Sequence, residues 1–178
     1  MIDPVVAFVC SLVGAAVFLS GALAKWRERE LFAAAMAGYD LIPNVAVPTA
    51  STSLIVTETA LGFALLLPSV SPFPQLGGAA LLVVVTVAVA INLLRGRREI
   101  SCGCGGASGD QQLSWGLVAR NVVLGLALLA AALPRLERQL VALDYATVVL
   151  GALMLSGLYA AASQLLANHP RLWTLRNS

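Results

Sequence analysis

Five stretches of this chain are continuously apolar, Val5–Ala24, Ser51–Leu67, Leu76–Leu94, Trp115–Leu133 and Tyr145–Ala167, and the polar residues collect between them. Each is long enough for a helix that crosses a hydrocarbon core of about 30 Å, which takes about 20 mostly apolar residues. The runs do not alternate apolar with polar positions as the strands of a membrane barrel do, and a helix satisfies its own backbone hydrogen bonds in lipid. The pattern therefore predicts an all-α integral membrane protein. Breakers punctuate it at the expected places: Pro43 and Pro48 precede the second run, Pro68, Pro72 and Pro74 mark the turn after it, and Pro134 ends the fourth. Ser51 or Thr52 and Ser114 are the expected N-caps of spans two and four.

Between the first two runs, residues 27–39 mix charge with Leu31, Phe32, Met36 and Tyr39 at near-helical spacing, which predicts a helix lying in the membrane interface with Trp26 and Tyr39 at headgroup level. A helical extension of the first span fits the same residues. Composition agrees with the membrane class, since 59% of residues are hydrophobic, 11% are charged and mean hydropathy is +0.87. The first run is expected to be a retained span rather than a cleaved signal, because Met1-Ile2-Asp3 carries no positive side chain and the apolar stretch exceeds a usual signal core. With no repeat, low-complexity tract or flexible linker, residues 1–178 read as a single transmembrane domain.

Charge adds an orientation. Lys25, Arg27 and Arg29 follow span one and Arg95, Arg97 and Arg98 follow span three, whereas no basic residue precedes span one or lies between spans two and three. The positive-inside rule then puts the N-terminus outside and the loop after span three in the cytoplasm of a bacterial plasma membrane. Arg171 and Arg176 agree, while Arg135 and Arg138 vote against. Whichever way the chain faces, alternating spans bring Lys25, Glu58, Asn92, Arg95, Arg120 and Asn121 to one half of the bilayer. Glu58 is expected on the order of 10 Å inside its span, where a bare carboxylate demands a partner or a proton. A pair with an arginine, Arg120 foremost, is the simplest expectation. A purely helix-locking role is the alternative.

The candidate chemistry lies on that same face. Cys102 and Cys104 stand one residue apart, among Gly103, Gly105 and Gly106, behind Arg95, Arg97 and Arg98. Nearby positive charge favours the thiolate, and a ring closed over one intervening residue is strained, which makes a disulfide labile. Dithiol redox, a structural loop and a soft-metal site all remain open. Metal is disfavoured because the only histidine, His169, is in the tail and Cys10 lies inside span one. No haem-attachment motif or axial histidine pair is present, and the cofactor stays unknown.

The succession Gly21-Ala22-Leu23-Ala24-Lys25, Tyr39-Asp40-Leu41-Ile42-Pro43, Glu58-Thr59-Ala60-Leu61-Gly62, Ile91-Asn92-Leu93-Leu94-Arg95-Gly96-Arg97, Cys102-Gly103-Cys104 and Ala119-Arg120-Asn121 resembles the MauE branch of the DoxX-like membrane protein family, over residues 8 to 133. The resemblance implies a four-helix transmembrane bundle, here with a fifth C-terminal transmembrane helix outside the shared pattern. It further implies a role in methylamine utilisation, forming or delivering disulfides during enzyme maturation beside a thioredoxin-like protein. The family's Cys-Gly-Cys then falls on Cys102 and Cys104, with Glu58, Asn92, Arg95, Arg97, Arg120 and Asn121 in support. Gly105 stands where the family usually has Phe. The competing reading is a non-catalytic membrane scaffold or accessory subunit of a larger complex. The expected partners are the lipid bilayer and a thioredoxin-like protein or partner enzyme, with no nucleic acid among them.

Overall fold

The structure, a computed structural model, describes residues 1–67, 71–97 and 113–176, with side chains described as far as Ala167. Among these residues the chain is wholly helical: α1 Pro4–Arg27, α2 Arg29–Gly38, α3 Val47–Leu66, α4 Phe73–Leu94, α5 Trp115–Ala131 and α6 Ala142–Arg176, with a 3-10 turn Asn44–Ala46 leading into α3. Four helices are apolar and long enough to cross a membrane, and the 17-residue α5 is shorter. At about 1.5 Å per residue, α5 is roughly 26 Å long, the low end of a membrane span. The chain is a multi-pass membrane protein. Pro68, Cys102 and Cys104 lie outside the described residues.

The five runs emerge as α1, α3, α4, α5 and α6, and the predicted interfacial segment as α2. Two details differ from the sequence-based expectation. α3 begins at Val47, with Pro48 inside its first turn, so Ser51 and Thr52 are not its caps; their hydroxyls donate back to the Pro48 carbonyl at 3.0 and 2.9 Å. Proline is favoured there because the first helical amides have no partner to lose. The fifth span also continues as helix beyond Ala167 to Arg176. Ser114 does occupy the N-cap of α5, although its side chain makes no capping bond.

The core sits where α1, α3, α4 and α5 meet, built on Val13, Phe18, Leu65, Leu82, Leu124 and Leu128. In lipid no hydrophobic force drives helices together, so small residues that let them approach carry the packing. Gly62 on α3 is such a contact: a Cβ there would stand 2.7 Å from Leu19 Cγ on α1. A second cluster, Val89, Leu93, Leu113 and Leu117, closes the bundle at the other end of α4, where the described chain leaves at Arg97 and returns at Leu113. α6 lays one face along α1 and leaves large apolar residues such as Leu150, Leu153 and Met154 exposed, as a lipid-facing helix must.

Candidate functional site

The predicted residues Glu58, Asn92, Arg95, Arg97, Arg120 and Asn121 fall into three separate polar clusters. The deepest is an ion pair. Lys25, near the end of α1, is 5% exposed and donates through Nζ to both carboxylate oxygens of Glu58 in the middle of α3. Because α3 starts four residues earlier than Ser51, Glu58 lies eleven residues from its first residue, about 16 Å deep rather than 10 Å. The Phe32 ring of α2 covers the ammonium, with its centroid 5.3 Å from Nζ. The pair is buried, so each charge owes its survival in an apolar bundle to the other. The expected Glu58–Arg120 pair does not form. α3 packs on α1, and the partner of Glu58 is therefore the cation of α1.

The second cluster joins the α2–α3 connection to the end of α4. Arg97 donates to Asp40 Oδ2 at 3.3 Å and Arg95 to the Asp40 carbonyl at 3.4 Å. Asp40 adopts a left-handed backbone, φ 52°, which aspartate tolerates in turns. α4 ends in a Schellman motif: Gly96, at φ 75°, donates its amide to the Leu93 carbonyl, and the Arg97 amide reaches back to Asn92. Glycine is required at 96 because other residues resist that conformation. The motif fixes the direction in which the chain leaves α4 at Arg97. Asn92 itself is fully buried; its amide donates to the Ala88 carbonyl at 3.1 Å, and its Oδ1 accepts nothing among the described residues.

The third cluster belongs to α5 and α6. Arg120 donates to Ser163 Oγ at 2.8 Å and, at a long 3.5 Å, to Asn121 Oδ1, and its guanidinium stacks 4.9 Å from the Tyr159 ring centroid. Asn121 is buried beside it. The role of Asp40 went unnoticed in the sequence reading. The signal was available, because Asp40 is the sole acidic residue between Glu30 and Glu58 and sits in a face crowded with arginines.

Between the first two clusters lies an apolar cavity of about 300 Å³, walled by α2, α3 and α4, with Phe32, Met36, Tyr39, Leu54 and Val84 on its sides. Lys25 is the one charged residue on its wall among the described residues. The opposite end of the bundle is tied differently. Arg138 bridges Asp3 and Asp144 at 3.1 and 2.8 Å, and Asp3 also caps α1 by accepting from the Val5 amide at 2.8 Å. The Arg138 guanidinium, helped by that amide, holds the Asp3 carboxyl below the usual carboxylate range. Among the described residues no group of three or more His, Cys, Asp or Glu is placed to hold a metal ion.

The family model described as methylamine utilisation protein MauE matches residues 3–134, which takes in α1 through α5. A methylamine utilization protein MauE of Paracoccus versutus is 37% identical over 94% of this chain and 92% of its own length. The proteins of that name from Paracoccus denitrificans and Methylophilus methylotrophus are 36% and 34% identical, over 74% and 90% of this chain and 71% and 85% of their own. No solved structure matches the chain.

Proposed function

As a member of the MauE family, the chain is a membrane protein whose cysteine pair, we propose, carries out thiol–disulfide exchange in the maturation of an enzyme of methylamine utilisation. The observation that carries the reading is the convergence on one face of the buried Lys25–Glu58 pair, the Arg95–Asp40–Arg97 tie and the two ends from which the segment with Cys102 and Cys104 departs. Cationic surroundings favour the thiolate, and the thiolate is the attacking species.

In the proposed orientation, with the N-terminus outside a plasma membrane and the cysteines in the cytoplasm, thiols are kept reduced and the pair rests as a dithiol. One thiolate attacks a disulfide of a thioredoxin-like partner and displaces a partner thiolate. The second cysteine then resolves the mixed disulfide. The pair leaves oxidised to one disulfide, and the partner leaves with two thiols. Two protons pass with the two electrons from the pair to the partner's thiols, so the exchange leaves no net charge behind, and the Lys25–Glu58 pair stays an ion pair throughout.

The test is trapping with purified thioredoxin as the probe. Cys104→Ser should accumulate a mixed disulfide through Cys102, or Cys102→Ser through Cys104, while wild type releases the product. If neither single variant traps the probe, the exchange reading is wrong. A non-catalytic subunit would then account better for the exposed arginines.

A further inference from the structure

Among the described residues, Arg120 has a charge without a counter-charge. Its hydrogen-bond acceptors are the neutral Ser163 and Asn121, its stacking partner is Tyr159, and its Nε–H is buried with no partner among the described residues. No carboxylate pairs with it there, although the carboxylates of Glu58, Asp40, Asp3 and Asp144 are all taken by other cations. Arginine offers five donors, and the two protein contacts leave most of them over. A lone guanidinium inside a span is costly enough that an anion should meet it.

The space for that anion is on the same residue. A cavity of about 670 Å³ opens between α5 and α6 against Val13 of α1, and Arg120 forms part of its wall. Its other lining is apolar apart from Tyr159 and runs along α5 from Gly116 to Ala127, about 16 Å of helix. Leu155, Leu158 and Leu165 of α6 and Val123 of α5 line it while remaining largely exposed, so the cleft opens sideways to lipid rather than along the axis of the bundle. A cation one turn inside the helix and a long apolar slot leading from it toward the bilayer centre fit a molecule with an anionic head and a hydrocarbon tail.

We propose that this cleft is a binding site for an anionic phospholipid, with the headgroup phosphate on Arg120 and an acyl chain along the α5–α6 slot. A zwitterionic lipid fits less well, because it brings its own positive charge to a site that already has one. The planar fork of Arg120 suits two phosphate oxygens at once. The inference is independent of the thiol chemistry and concerns residues on the far side of α5.

Native mass spectrometry of the delipidated full-length protein, with phosphatidylglycerol or phosphatidylcholine added back, tests it. Wild type should retain phosphatidylglycerol in preference, and Arg120→Gln should lose that preference by about tenfold, the scale of one charge-assisted contact, while Arg120→Lys keeps part of it. Ala162→Trp, at an exposed position of the slot, keeps the cation and blocks the tail; it should abolish the rise in Tm that phosphatidylglycerol gives wild type. Equal retention of the two lipids by wild type, or an undiminished preference in Arg120→Gln, would overturn the proposal. So would stabilisation by inorganic phosphate alone equal to that by the lipid, since it would make the ligand a free anion.

Discussion

Removing one member of the Lys25–Glu58 pair should damage the protein far more than removing both. Lys25 and Glu58 side chains are 5% and 8% exposed, so each charge left alone stays buried. At an effective dielectric near 20, their attraction is roughly 4 kcal/mol at ordinary ion-pair separation. Desolvating the two ions costs several kcal/mol each and offsets it. The pair is then nearly neutral for folding, whereas Glu58→Gln or Lys25→Met alone strands a charge at about 3–5 kcal/mol. For a chain of this length that corresponds to a Tm loss of about 10 °C. Thermal unfolding in detergent, measured on Glu58→Gln, Lys25→Met and the double variant, gives the coupling directly. The double variant should recover most of the loss. Strictly additive losses would refute the buried pair, and a cycle of Glu58→Gln with Arg120→Gln should show no such coupling.

At the Schellman turn, Gly96→Ala forces a side chain into φ 75° and should cost about 1–2 kcal/mol, read as a lowered Tm, even though a Cβ there meets nothing within 4 Å. The Asp3 carboxyl, depressed by Arg138, stabilises the fold above its unfolded value and loses that contribution as pH falls through its folded value. Arg138→Gln should therefore lower Tm slightly at neutral pH, and its difference from wild type should begin to shrink only as pH falls below about 4, through the depressed folded values of Asp3 and Asp144; a difference unchanged by pH would remove both carboxylates from the account.

The spans were legible because a membrane helix announces itself by length and continuous apolarity, and α1, α3, α4, α5 and α6 fall close to the five runs. Pairing was not legible in the same way. Depth along a helix can be counted from its ends, but which neighbour a residue faces depends on rotation and on which helices touch, so Glu58 met Lys25 of adjacent α1 instead of Arg120. Pro48 was read as a breaker before α3 when it sits in its first turn, because proline serves both positions. Alternation alone predicts a common face for Lys25, Glu58, Asn92, Arg95, Arg120 and Asn121. Their grouping into three clusters needed side-chain geometry.

The most direct test of the exchange chemistry is a redox titration of the intact membrane protein in glutathione buffers, read by mass-tagging of free thiols. Cys102 and Cys104 should convert together in one two-electron step within the cellular range of potentials, with Cys10 keeping its thiol throughout. If both remain reduced across that range, or titrate independently of one another, the cysteine pair is not an exchange centre.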